Sequence, residues 1–367
     1  MKKRVAGGVV ILALALGASA CGAPPAGSGA TPGASGTPGA TASDYVACLV
    51  SDVGGFNDKS FNQAAKAGVD QAVHELGITS NELESTSQAD YAPYVATLQQ
   101  KNCSIIIATG FNLEAAMVAA AKQDPGGHYA IVDDNPQNRP ANLKPIVFKT
   151  SEAAFLAGYA AAAYSQSGTV GTWGGMPYPN VTIFMDGFAD GVARYNQDDN
   201  KSVKLLGWNK KTQKGSFVNS FTDQSAAANV TQQLIAQGAD VIMPVAGNAG
   251  LGALSVAQEK NAAVVWVDQD GYVAVSQYSG IMLTSVMKGI QAAVFDMIKQ
   301  DASSSQFDAS PYVGTLANQG VSIAPFHDFS TKLSQDVQSK IADLSQQIAS
   351  GQLKVSSPAD AAVGAAG

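Results

Sequence analysis

In the stretch Val50-Ser51-Asp52-Val53-Gly54-Gly55-Phe56-Asn57-Asp58-Lys59-Ser60-Phe61-Asn62-Gln63, a carboxylate (Asp52), an ammonium (Lys59) and a flat apolar ring (Phe61) follow one another closely. These types supply an acceptor, a donor and a stacking face, and no nucleophile with an adjacent base stands among them. The chemistry they offer is grip rather than bond-making. The local sequence shows how they would be held. An apolar run over 45–50 stops at an Asp, a Gly-Gly turn follows, and an Asn/Asp pair opens a helix with Phe61 in its first turn. That is the C-terminal edge of a buried strand beside a helix N-terminus with unpaired N–H groups. Open α/β sheets hold ligands at such edges.

Further strand ends carry the same kinds of residue. The run 104–108 ends in Thr109-Gly110-Phe111-Asn112, and 129–132 in Asp133-Asp134-Asn135. The run 241–245 ends in Ala246-Gly247-Asn248-Ala249-Gly250, and 263–267 in Asp268-Gln269-Asp270. Carboxylates take two donors with charge-assisted strength, which suits a ligand rich in hydroxyls or N–H groups. Lys288, after Leu283-Thr284-Ser285-Val286-Met287, adds a donor. Gly171-Thr172-Trp173-Gly174-Gly175 has neither the GxGxxG nor the GxxxxGK[ST] spacing of a phosphate loop. His74, His128 and His327 are far apart, no Ser sits in a GxSxG elbow, and two lone Cys make no metal site. No catalytic residue, metal or cofactor is expected.

The elements that must position these groups alternate. Strands at 45–50, 82–85, 104–108, 129–132 and 146–148 are interleaved with helices near 60–76, 91–100 and 113–122. An Ala-rich helix at 151–165 leads to a second series. Its strands fall at 169–173, 203–208, 241–245 and 263–267, and its helices at 181–195, 225–237 and from 250. This pattern predicts an α/β protein of two doubly wound parallel-sheet lobes, with a hinge and an interlobe ligand cleft. The expected division is lobe 1 over 44–165 with a return near 281–300, and lobe 2 over 166–280 with 301–355. The segment 280–284 reads as extended, 286–300 as helical, 312–324 as a pair of short strands and 356–367 as a frayed tail.

Residues 1–20 read as an export signal: Lys2, Lys3 and Arg4, an apolar core at 9–16, and Ala18-Ser19-Ala20. That core is shorter than the roughly 20 residues needed to span a bilayer. Cys21 after small residues resembles a bacterial lipobox, where that Cys carries lipid such as palmitate. Residues 21–43 are nearly all Gly, Ala, Pro, Ser and Thr, which fits a flexible, lipid-anchored linker. Cys48 and Cys103 each sit at or beside an apolar strand, and an exported protein lives where disulfides persist. They are either bonded or two buried thiols. The net charge of −7, without a basic cluster interleaved with aromatics, argues against nucleic-acid binding.

The combination Asp52…Lys59-Ser60-Phe61-Asn62-Gln63, Val245-Ala246-Gly247, Val267-Asp268 and Leu283-Thr284-Ser285…Lys288 resembles the basic membrane protein family. Gly320…Ala324-Pro325-Phe326-His327-Asp328 extends the likeness, which runs in order from about residue 45 to 329. The resemblance implies a type I periplasmic-binding-protein-like fold. It also implies the role of a lipid-anchored substrate-binding protein of a bacterial ABC transporter, whose best-understood members bind purine nucleosides. Carried over, the family's ribose contacts fall on Asp268, Lys288 and the backbone around Gly247. Its base-edge contacts fall on Asp52, Lys59 and Asp133, and Phe61 matches the ring that stacks on the base. The opposing aromatic aligns with Met243, a polarisable side chain that still covers a ring face. Asp133 is preferred to Asp134 because it directly follows the strand.

The expectation is therefore a monomeric receptor on the outer face of the cell membrane. It would capture a nucleoside by hinge closure and present it to an ABC permease, with no enzymatic activity. The alternatives are a receptor for another polyhydroxylated solute such as a sugar, and a nucleoside hydrolase, which would gather its carboxylates in one loop.

Overall fold

Short apolar runs that alternate with helical segments bury themselves best as parallel strands under helices, and this chain does so twice. The computed structural model describes residues 44–361, so the expected signal and linker, Cys21 and residues 362–367 lie outside the described residues. The chain begins with β1 (Val46–Val50), α1 (Phe61–Leu76), β2 (Thr79–Leu83), α2 (Tyr91–Gln99) and β3 (Ile105–Thr109). It continues through α3 (Glu114–Gln123), β4 (His128–Val132), β5 (Leu143–Phe148) and α4 (Thr150–Tyr164). The second series holds β6 (Thr169–Gly174), α5 (Pro179–Asp198), β7 (Lys204–Leu206) and a small hairpin, β8 (Trp208–Asn209) and β9 (Lys214–Gly215). Then come α6 (Gln224–Ala236), β10 (Val241–Val245), α7 (Leu251–Glu259), β11 (Ala263–Asp268), α8 (Gly271–Ala274) and β12 (Met282–Lys288). Last are α9 (Ile290–Ser303), β13 (Tyr312–Gly314), β14 (Val321–Ile323) and α10 (Gln335–Ala349).

The first sheet has the order β13-β5-β4-β3-β1-β2 and is parallel throughout. The second has the order β14-β12-β11-β10-β6-β7, with only β14 antiparallel to its neighbour. Each sheet carries one lobe. Cys48 on β1 and Cys103, just before the adjacent β3, form a disulfide with their Cα atoms 5.8 Å apart.

The division between lobes differs from the expected one in three places. The Ala-rich α4 leaves the first sheet but packs on α5, β12 and β14, so the second lobe begins near residue 150. Its surface is apolar nearly all round and needs cover on every side. The contact with α5 is backbone to backbone. A Cβ on Gly158 would stand 2.2 Å from the Phe188 carbonyl oxygen, and one on Gly191 2.0 Å from that of Phe155. Second, the strand β12 runs through Lys288, where a helix was expected from 286. Pairing with β11 and β14 along 282–288 overrides the local helical pattern. The return to the first lobe is therefore α9, which packs on α1, followed by β13 at the edge of the first sheet. Third, the tail is seated as far as it is described. Ser357 and Ala359 are buried, and Ser357 Oγ donates to Asp186 Oδ2 at 2.5 Å. Asp186 is fully buried and also accepts from Trp208 Nε1 and Gln213 Nε2, both at 2.9 Å. A buried carboxylate needs such donors, and the tail supplies one. The chain thus crosses between lobes after β5, after β12 and between β13 and β14.

Candidate ligand-binding site

The C-terminal ends of strands from both sheets face one cleft, whose empty space, open solvent at its mouth included, is about 590 Å³. The first lobe contributes Asp52 after β1, Gly110 to Asn112 after β3 and Asp133 after β4, with Phe61 and Asn62 from α1. The second contributes Tyr178, Asn180 and Phe184 around the start of α5, Phe221 before α6, Gly247 after β10, Asp268 and Lys288.

One pole is built on the Gly-Gly turn. Asp52 Oδ1 accepts from Gly54 N at 2.8 Å and from Asn62 Nδ2 at 2.7 Å. Asn62 Oδ1 in turn accepts from the Thr109 hydroxyl. Asp58 caps α1, accepting from Ser60 N, Asn62 N and Gln63 N at 3.0, 2.8 and 3.1 Å. Burial pushes Asp58 up to about 7 against those hydrogen bonds, and burial also raises Asp52 against the bonds from Asn62 and Gly54. Asp58 is committed to the helix, whereas Asp52 keeps its second oxygen for the cavity. Gly110, at φ 94°, brings the end of β3 close. A Cβ there would lie 3.4 Å from Asp52 Oδ2 and 3.5 Å from the Phe61 ring.

The other pole is ionic. Lys288 Nζ bonds Asp133 Oδ2 and stands 3.4 Å from Asp268 Oδ1, and all three side chains are buried. Asp133 and Asp268 end their strands with φ of 63° and 67°, a left-handed conformation that Asp tolerates better than most residues. Burial works to lower the Lys288 pKa, but the two carboxylates outweigh it and hold the ammonium charged. Burial raises Asp133, partly offset by Lys288. Apart from the Lys288 ammonium 3.4 Å from Asp268 Oδ1, that oxygen and the buried Asn180 side-chain oxygen have no hydrogen-bond partner among the described residues, so both can accept from a guest. The lining residues include Asp52, Asp58, Asp133 and Asp268 against the single ammonium of Lys288. The site is therefore rich in acceptors.

Between the poles lie aromatic faces. Lys288 Nζ is 5.4 Å from the Phe61 ring centre and 4.7 Å from that of Phe184, so rings from the two lobes flank it. At the rim Phe111 meets Tyr178 across the lobes at 5.3 Å, and Tyr178 meets Phe221 at 6.2 Å.

Of the residues singled out from sequence, Asp52, Phe61, Asp133, Gly247, Asp268 and Lys288 line this cavity together. Lys59 and Met243 do not. Lys59 sits at φ 58° two residues before Phe61, and it is not among the residues that line the cavity. Met243 is fully buried within β10, and the cavity touches that strand only at its end, from Val245 onward. The second lobe's aromatic cover comes instead from Tyr178, Phe184 and Phe221. Asp133, expected beside Asp52, joins Asp268 through Lys288, while Asp134 is buried outside the lining. Tyr178 and Asn180 follow the glycine-rich end of β6, so the strand-end logic applied elsewhere would have found them. Phe184, on α5, is buried while also reaching the cavity. Phe221 sits in a loop with no periodic signal. Among the described residues, no group of His, Cys, Asp and Glu is arranged to hold a metal ion.

Residues 46–358 match the family described as ABC transporter substrate-binding protein PnrA-like. The chain is similar to the ABC transporter nucleoside-binding protein BmpA of Lactococcus lactis, at 30% identity over 249 residues, covering 65% of this chain and 67% of that protein. It is also similar to basic membrane protein A of Borreliella burgdorferi, at 30% identity over 311 residues, covering 83% and 86%. A solved ABC transporter solute-binding protein from Aeropyrum pernix shares the fold, with a TM-score of 0.77 at 23% identity over 86% of this chain and 94% of that one.

Proposed function

The chain belongs to the PnrA-like family of ABC transporter substrate-binding proteins, and from that premise we propose that its cleft captures a purine nucleoside. The observation that carries this reading is the pairing of two unlike surfaces in one cavity. Flat rings, Phe61 from one lobe and Phe184 and Phe221 from the other, offer a slot for a base. The Asp133, Lys288 and Asp268 group offers acceptors and one cationic donor for a ribose. Asp52, with one oxygen free, stands where a base edge with N–H donors would end.

Hinge closure is the mechanism this arrangement supports. Each lobe holds part of both surfaces, so a bound nucleoside gains its full set of contacts only when the lobes meet. The closed form would then dock on the permease. Cys21 would carry the lipid anchor, with residues 21–43 as a tether on the outer face of the membrane. No helix among the described residues is long and apolar enough to cross a membrane.

Thermal unfolding of the purified protein with nucleosides, free bases and sugars tests the proposal. A purine nucleoside at a hundredfold its dissociation constant stabilises the fold by about 2.7 kcal/mol and raises the melting temperature. Stabilisation by ribose or other sugars alone, with none by nucleosides, would replace this reading with that of a sugar receptor. Release of free base on incubation with inosine would replace it with hydrolysis.

A further inference from the structure

Two side chains of the second lobe hold the backbone of the first at the foot of α1, and neither lines the cavity. Trp266 Nε1 donates to the Lys59 carbonyl at 3.1 Å, and Gln269 Nε2 donates to the Ser60 carbonyl at 2.6 Å. Between them Ser60 Oγ bonds Asp268 Oδ2. Residues 266, 268 and 269 at the end of β11 thus grip residues 59 and 60 from across the cleft.

The grip is built on a fixed post. Trp266 is fully buried, and its ring packs under Gly250 and Gly271, where a Cβ would lie 3.2 and 2.8 Å from ring atoms. The partner segment is held in an uncommon shape, since Lys59 sits at φ 58°, a backbone region that a long side chain keeps only when its surroundings enforce it. The next residue after the clasped carbonyls is Phe61, and the residue between the two clasping side chains is Asp268 or its neighbour Val267. One set of bonds therefore locates a ring of the first lobe and a carboxylate of the second at once.

We propose that Trp266 and Gln269 are positioning residues for ligand capture, clasping the Lys59 and Ser60 carbonyls so that the lobes come together and seat Phe61 and Asp268 around the solute. This rests on the reading of the cleft as the nucleoside site. The bonds from Ser60 to Asp268 and from Lys288 to Asp133 also cross between lobes, but a guest would compete for those groups. The two clasp bonds come from residues that do not line the cavity, so a guest there would not compete for them. They favour closure in both states, and their effect on a bound ligand falls on its escape.

The test measures lobe separation and ligand escape in one protein. Dyes are placed on the exposed Lys122→Cys of the first lobe and Lys260→Cys of the second, in a Cys21→Ser background. In the ligand-free protein with an intact clasp, a closed population is expected, and Gln269→Glu, which keeps the shape but loses the donor, shifts it toward open. Trp266→Phe does the same. With inosine as the probe, each variant releases it about tenfold faster, the factor one hydrogen bond's net contribution supplies, while association stays within about twofold. Unchanged dye distances and unchanged release in variants with an intact melting temperature overturn the clasp. Gln269 is only half-buried, so its variant carries the test if Trp266→Phe fails to fold. If inosine binds none of the proteins, the functional reading fails, and the dye distances still decide whether the clasp closes the lobes.

Discussion

Asp133 and Asp268 each end a strand in the left-handed region and turn toward one ammonium, although they lie in different sheets. At Asp133 burial favours the neutral carboxyl and Lys288 the charged one. Phe61 is the residue on which base recognition depends in the proposed function. Phe61→Ala is expected to weaken nucleoside binding by about 5- to 150-fold, the range of roughly 1–3 kcal/mol for stacking one base on a ring. Titration calorimetry would measure it, and a loss of only a few tenths of a kcal/mol would point to a ligand without a base. Asp134 makes a separate prediction about stability. Burial, then the nearby Glu114, pushes its carboxyl from 3.8 up to about 7. The folded state therefore holds this proton more tightly than the unfolded one. Its contribution is intact below about pH 4 and is lost as pH rises toward 7. Asp134→Asn should match the parent protein near pH 3 and exceed it at pH 8, by at most about 4 kcal/mol at 1.36 kcal/mol per pH unit. Urea melts at the two pH values check this, and a gap that does not change with pH would refute it. The strand-end carboxylates were legible in the sequence because an Asp that stops an apolar run is a local signal. The direction Asp133 faces was not, since it depends on Lys288, 155 residues further along the chain.

Elements set which lobe each side chain belongs to. The helix α4 reads as the last piece of the first lobe, because it follows directly on that lobe's strands. It belongs to the second lobe because its small residues let it press against α5 at backbone distance. Likewise β12 carries Lys288 to the cleft as a strand end, like the Asp residues it meets, because β11 and β14 pair with it. Helix and strand periods are readable within a dozen residues, whereas the partner that settles an ambiguous stretch is not. The disulfide between Cys48 and Cys103 fastens β1, which carries Asp52 at its end, to the entry of β3, which carries Gly110 beyond its end. It closes a loop with a sequence separation of 55 residues. In the chain-entropy view such a cross-link stabilises by about 4 kcal/mol. Replacing both cysteines by Ala is expected to lower stability by about 2–5 kcal/mol in denaturant melts, and an unchanged midpoint would show that the link contributes nothing.

The whole molecule makes a cavity that neither lobe contains alone. Capture of a nucleoside should therefore slow amide hydrogen exchange in both lobes together, in the loops after β1 and β4 and in those after β10 and β11. Protection confined to one lobe would count against capture by closure. By itself the sequence determined two alternating α/β series, carboxylates and glycines at the strand ends, and a ring at the first turn of α1. Periodicity, capping and turn chemistry act between near neighbours, so these are written in the chain's local order. Only the tertiary structure decided that Lys59 stays out of the cavity lining, that Met243 is enclosed in its sheet, and that Tyr178, Phe184 and Phe221 complete the aromatic wall. Those outcomes follow from how two sheets, joined by three crossings, turn their strand ends toward a common space, and no stretch of sequence encodes that meeting alone.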